Sequence, residues 1–152
     1  MIVRPSLFKL LLNFYPPYLG TGIAVRHVAA DYREIMVEMR LRFYNRNAFG
    51  THFGGSLFAM TDPFYALMLT HILGRDYWVW DQSAAIEFLK PGRGAVTARF
   101  KISDDELAAI QAATAGGEKH FPEFTVDITD AAGDAVARVR KILYVRRKSA
   151  AR

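Results

Sequence analysis

Two glycines stand before a largely apolar run in Gly50-Thr-His-Phe-Gly-Gly-Ser-Leu-Phe-Ala-Met-Thr-Asp62, and a single acid follows seven residues after the second glycine. A carboxylate is costly to bury among apolar side chains unless its charge is used or paired. If Gly54-Gly55 opens a helix, the first turn offers backbone N–H groups with no partner inside the helix. Glycine lets a substrate oxygen approach that backbone closely. Such N–H groups can hold a carbonyl oxygen and stabilise the oxyanion formed when the carbon is attacked. Asp62 would lie about two turns along, roughly 10 Å from the helix start. That is too far for both groups to reach one carbonyl within one chain. Two such helices side by side and antiparallel in a dimer would place the acid of one opposite the glycines of the other. The pairing suits a general base or nucleophile facing an oxyanion site.

Other chemistries find little support. His27, His52, His71 and His120 show no HxxxH or HExxH spacing, so no metal site is expected. Ser56 and Ser83 lack the Gly-x-Ser-x-Gly elbow, and no Walker or dinucleotide pattern occurs. With no cysteine, a disulfide frame and a thiolate nucleophile are excluded.

The elements that must position these residues follow from pattern. Residues 6–15 read as a short amphipathic helix stopped by Pro16-Pro17. It is too short to span a bilayer, and no stable membrane insertion is expected. A strand over 23–29 precedes one over 33–44, where Ile35, Val37, Met39, Leu41 and Phe43 alternate with Glu34, Glu38, Arg40 and Arg42. Residues 45–53 read as a loop, and 55–73 as one long buried helix kinked by Pro63 near Asp62. Strands follow at 79–89, ended by Pro91-Gly92, and at 94–102. Ser103 with Glu106 forms a capping box for a short helix stopped by Gly116-Gly117. The last two strands are 123–129 and 135–146, around the turn at 131–134. One apolar helix among about six strands calls for a curved antiparallel sheet wrapped around it, an α+β arrangement. The 152 residues suit a single domain over 1–152, with residues 1–20 as a helical extension and 147–152 as a basic tail.

The net charge is +5, with much of the excess in Arg138, Arg140, Lys141, Arg146, Arg147, Lys148 and Arg152. This favours anionic partners, or else marks a solvated strand edge and a frayed end. Interleaved acids and the lack of a recognition helix argue against nucleic acid. Lys90 and Arg93 at a turn could grip phosphate, as could Arg138 or Arg140. Phe53, Phe58, Phe64, Tyr65, Trp78 and Trp80 would line an apolar pocket or fill the core.

Segment 47–62 resembles the hotdog-fold acyl-CoA thioesterases of the phenylacetate-degradation type. Asn47, Gly50, Gly54, Gly55 and Asp62 match their pattern in register, and Phe88-Leu89-Lys90-Pro91-Gly92 is similar to the end of their post-helix strand. The resemblance implies a hotdog fold and hydrolysis of an acyl-CoA thioester to a carboxylic acid and coenzyme A. By the same resemblance, Asp62 would activate water or attack the thioester carbonyl. The Gly55 amide would polarise that carbonyl, Gly54 would permit close approach, and Asn47 would orient the acid or the water across a dimer groove. The substrate-binding set is then Gly54, Phe53, His52, Ser83, Lys90 and Arg93. No cofactor is implied, coenzyme A being part of the substrate. The expected setting is a cytoplasmic homodimer or dimer of dimers.

The departures are specific. Phe53 replaces the family histidine, and His52, displaced by one residue, does not inherit its role. Asp81 stands where relatives often carry Thr or Ser, and Pro63 directly follows the acid. A non-catalytic acyl-CoA or lipid-binding hotdog protein is therefore the second reading, and a hotdog dehydratase or hydratase the third.

Overall fold

Alternation of apolar and polar residues organises most of this chain, and the computed structural model, which describes residues 3–149, shows what it builds. Two short helices, α1 (Pro5–Asn13) and α2 (Pro16–Thr21), lead into the strands β1 (Ile23–Val28) and β2 (Glu34–Arg40). The central helical segment comprises α3 (Gly54–Ala59) and α4 (Phe64–Leu73). Then come β3 (Tyr77–Phe88), β4 (Ala95–Lys101), α5 (Asp104–Ala113), β5 (Lys119–His120), β6 (Glu123–Asp130) and β7 (Ala135–Arg147). The long strands form one antiparallel sheet in the order β1-β2-β4-β6-β7-β3, and β5 adds a two-residue pairing to β7.

The sheet curves around the helical segment because its strands carry apolar side chains on one face. In β2, Ile35, Val37 and Met39 are fully buried, while Glu34, Met36 and Glu38, which alternate with them, are partly exposed. The polar faces are laced by ion pairs: Glu34 with Arg99 and Lys101, Glu38 with Arg26 and Arg40, Asp127 with Arg138. From α4, Phe64, Tyr65, Met68 and Leu69 enter the core. Phe64 packs on Phe100 with ring centroids 4.8 Å apart, and Tyr65 stacks on Phe124 at 4.4 Å. Burying large aromatic and aliphatic side chains is the main favourable contribution to such a core. Helix α5 carries the expected capping box between Ser103 and Glu106, worth about 1 kcal/mol.

Three expectations need correction. Pro16-Pro17 does not only end α1. It also opens α2, because proline's fixed φ and missing N–H suit a first helical turn. The central helix over 55–73 bends near Asp62 as expected, with Thr61-Asp62-Pro63 forming a turn between α3 and α4. β2 ends at Arg40, so Phe43, expected on the inward side, is 83% exposed. β7 lies between β6 and β3 inside the sheet, so its basic residues do not form a solvated edge. The basic tail predicted over 147–152 falls partly outside the described residues. Residues 1–2 of the predicted extension also lie outside them.

The N-terminal helices are bound into the domain. Asn13 donates to and accepts from the backbone of Val25 at 3.1 and 2.7 Å. Phe8 packs edge-on against Tyr32 and His71. Among the described residues, no helix is long and apolar enough to cross a membrane.

Candidate functional site

Interrupting the central helix brings Asp62 out of it. A side chain in the turn between α3 and α4 is not confined to a helical face, and Asp62 keeps 64% of its side chain exposed. Its backbone carbonyl accepts a hydrogen bond from the hydroxyl of Tyr18, which α2 brings down against the turn. Burial pushes the Tyr18 phenol well above its ordinary range, and the charge of Asp62 adds to the effect, so Tyr18 stays a neutral donor.

The carboxylate meets a cation that pattern reading left outside. Lys141 occupies an inward position of β7 between Val139 and Leu143 and is only 1% exposed. Its Nζ donates to Asp62 Oδ1 at 2.9 Å. Asp81 Oδ1 lies 3.0 Å from the same nitrogen, close enough for charge attraction but outside hydrogen-bond geometry. Asp81 reaches this point beside a bulge in β3, where pairing with β7 skips from Asp81 to Ser83. One buried ammonium therefore sits between two carboxylates, and the group retains one net negative charge. Such a cluster in an otherwise apolar wall is costly without a purpose.

The glycine pair opens α3, and the amides of Gly54 and Gly55 have no acceptor among the described residues. Helix α3 is six residues long, so its macrodipole is small. Two free N–H groups, rather than an extended dipole, are what the segment offers. Aromatic rings crowd both glycines. A Cβ at Gly54 would lie 2.9 Å from the tip of Phe88, and one at Gly55 would lie 2.5 Å from Phe53 Cε1. Both rings are more than half exposed.

Asn47 turns its amide inward on its own loop. Its Nδ2 donates to Thr51 Oγ1 at 3.0 Å and to the His52 carbonyl at 3.2 Å, while its Oδ1 accepts from the amides of Phe49 and Thr51. His52 is 2% exposed, and its Nε2 donates to the Gly94 carbonyl at 3.0 Å. Its Nδ1 has no partner, and burial holds the imidazole below its usual range. Lys90 is engaged by Asp130 at 2.7 Å and Asp134 at 2.8 Å, which raise its pKa. Arg93 is exposed and forms no ion pair among the described residues.

These residues divide among three hollows in one protomer. Asn47, His52, Gly54, Phe88, Lys90 and Arg93 border one of about 660 Å³. Phe53, Gly55 and Arg46 border another of about 410 Å³. Asp62 borders a third of about 350 Å³, whose wall is Leu12, Tyr15, Pro17 and Tyr18 from the N-terminal helices. Ser83 lies exposed on β3 and borders none of the three.

Residues 4–145 match the family model described as a domain of unknown function, DUF4442. The chain belongs to the DUF4442 family. No functionally curated protein matches this DUF4442 chain. Solved structures do. PA5026 from Pseudomonas aeruginosa, described as a protein of unknown function and probable thioesterase, superposes with a TM-score of 0.81 at 15% identity, covering 95% of this chain and 98% of its own. The thioesterase HI1161 from Haemophilus influenzae gives 0.69 at 16%, covering 97% and 93%. The E. coli PaaI protein from the phenylacetic acid degradation operon gives 0.64 at 16%, covering 95% and 92%. The fold of this DUF4442 chain is therefore the hotdog fold expected from segment 47–62.

In the DUF4442 chain Asp62 lies beside Lys141 and Asp81, a grouping that spacing did not assemble. Lys141 had a signal of its own. Arg140 and Lys141 are adjacent in a strand, so one of the two must face inward.

Proposed function

We propose that the protein hydrolyses acyl-CoA thioesters at sites shared between two copies of the chain. The observation that carries this reading is Asp62, a largely exposed carboxylate released from the central helix of a hotdog fold and held by a buried cation. The hollow beside Gly54 adds an apolar wall from Phe88 and an uncommitted cation, Arg93, which suits a ligand with an acyl part and phosphates. In one protomer, Asp62 and the glycine pair border different hollows, so a second copy is needed to bring an acid opposite free amides.

In the proposed reaction, Asp62 takes a proton from water, and the water oxygen attacks the thioester carbonyl. The free amide of Gly55 receives the developing oxyanion. The C–S bond then breaks, and coenzyme A leaves as its thiol with the proton returned from Asp62. Asn47 keeps the loop before Gly54 in shape and so fixes where the amides point.

Hydrolysis of a panel of acyl-CoA thioesters tests the reading, with thiol release as the readout. Asp62→Asn is expected to lower kcat at least about 100-fold while still binding acyl-CoA, the scale for loss of a positioned general base. Wild-type activity unchanged by Asp62→Asn would remove Asp62 from the reaction.

One observation favours a second reading, a non-catalytic acyl-CoA binder. Phe53 stands where its ring covers Gly55, and the amide of Asn47 is engaged within its own loop. Calorimetric binding of acyl-CoA without turnover of any panel member would establish this second reading.

A further inference from the structure

We propose that Lys141 is the positioning residue of the hydrolytic site, clamping Asp62 through Oδ1 while Asp81 acts as its counter-charge. The inference rests on the reading of Asp62 as the hydrolytic carboxylate. Lys141 is the anomaly of β7. Its neighbours on the inward face are Val139 and Leu143, both fully buried, and an aliphatic residue there would complete the core without desolvating a charge. The ammonium instead reaches the turn that carries Asp62.

From the side of Asp62 the dependence is stronger. Its side chain lies in a turn outside the helical frame, and its hydrogen bond to Lys141 is the one side-chain bond it makes among the described residues. Oδ1 is occupied, so the free oxygen, Oδ2, is aimed by where Lys141 holds its partner. Tyr18 fixes the backbone of the same residue through its carbonyl. The main chain is thus held from α2 and the side chain from β7.

Asp81 completes the balance. A lysine paired to Asp62 alone would cancel its charge. With Asp81 on the same nitrogen, the two carboxylates share one ammonium, and one negative charge remains. Asp81 is the less exposed acid, at 28% against 64%, so Asp62 presents that charge outward. Lys141 is sealed from solvent and takes no part in the proton transfer. The proton that moves is the one passed from water to Asp62 and on to the departing thiol.

The experiment compares wild type, Lys141→Met, Asp81→Asn, Asp62→Asn and the Asp62→Asn/Lys141→Met double variant in acyl-CoA hydrolysis and urea unfolding. Methionine matches the length of lysine without its charge. The expected result for Lys141→Met is a kcat at least about tenfold lower with KM within about threefold, because a misaimed carboxylate slows the step more than it weakens binding. The double variant should be no slower than Asp62→Asn, since Lys141 acts only through Asp62. A folded Lys141→Met protein with wild-type kcat overturns the proposal. If methionine at 141 prevents folding, Asp81→Asn decides. A kcat reduced about tenfold at unchanged KM supports the counter-charge, and an unchanged kcat overturns it. Should the wild type hydrolyse no acyl-CoA, the hydrolase reading fails separately. The clamp is then judged by unfolding alone: non-additive effects of Asp62→Asn and Lys141→Met uphold it, and additive effects reject it.

Discussion

His52 shows how the loop before the glycines is set. Its Nε2–H donates to Gly94, its ring lies against Gly92, and its other nitrogen is buried without a donor. The neutral ring suits this place, and burial keeps the folded pKa below the ordinary value of about 6.5. The sign of the linkage follows. Above about pH 6.5 both folded and unfolded chains carry a neutral ring, and the fold keeps its full stability. As pH falls, the unfolded chain takes up the proton first, and stability declines until the folded ring also protonates. Melting temperatures of wild type and His52→Gln between pH 8 and 5 should show this, with a shallower acid decline in the variant. Equal slopes would place the pH sensitivity elsewhere. A histidine one position from the expected site is thus a buried strut, and nothing in the spacing of a single chain announces that. The burial comes from Gly92 and Gly94, some forty residues away.

The break between α3 and α4 is the element on which the site depends. Spacing placed Asp62 two turns along a helix, and Pro63 signalled disturbance. The extent of the break was not legible, because it rests on the distant Tyr18 hydroxyl and on Lys141. The glycine pair at the start of α3 was legible as a place of close approach, yet what approaches in this structure is Phe53 and Phe88. The Phe53 ring is 56% exposed and free to turn aside, so Gly55→Ala should shift the melting temperature little. The same change keeps the amide but sets a methyl on the approach to it, so kcat/KM should fall at least about tenfold if a substrate oxygen comes close to the Gly55 backbone. A stable Gly55→Ala protein with full activity would show that the reaction needs no close approach at the Gly55 Cα. The strands were the most legible elements, since alternation over β2, β4, β6 and β7 survived packing. β5 was missed because two residues between Gly117 and Pro122 carry no period.

Across the whole molecule, the sheet ends at β3, twelve residues paired to β7 on one side only. A long strand with a free edge invites another strand to pair with it unless it is covered. Its middle, Ser83-Ala84-Ala85, is small, uncharged and exposed, so close approach of a second copy is unobstructed. Replacing Ala84 and Ala85 with Arg should convert a dimer to a monomer in light scattering and remove hydrolysis with it. A dimer that persists would move the shared site to another face. Periodicity records the faces of a sheet and not its edges, so the free edge of β3 was not legible in it. The two short helices ahead of β1 have a bearing on any shortened form of this protein. A chain beginning at Gly22 would lose Phe8 and Tyr18 from the interior, leave the Val25 amide without Asn13, and free the carbonyl of Asp62 from its anchor. The two helices are thus a keystone fitted from outside, and trimming them would loosen the turn that carries Asp62 while leaving Asp62, Lys141 and Asp81 in place in the sequence.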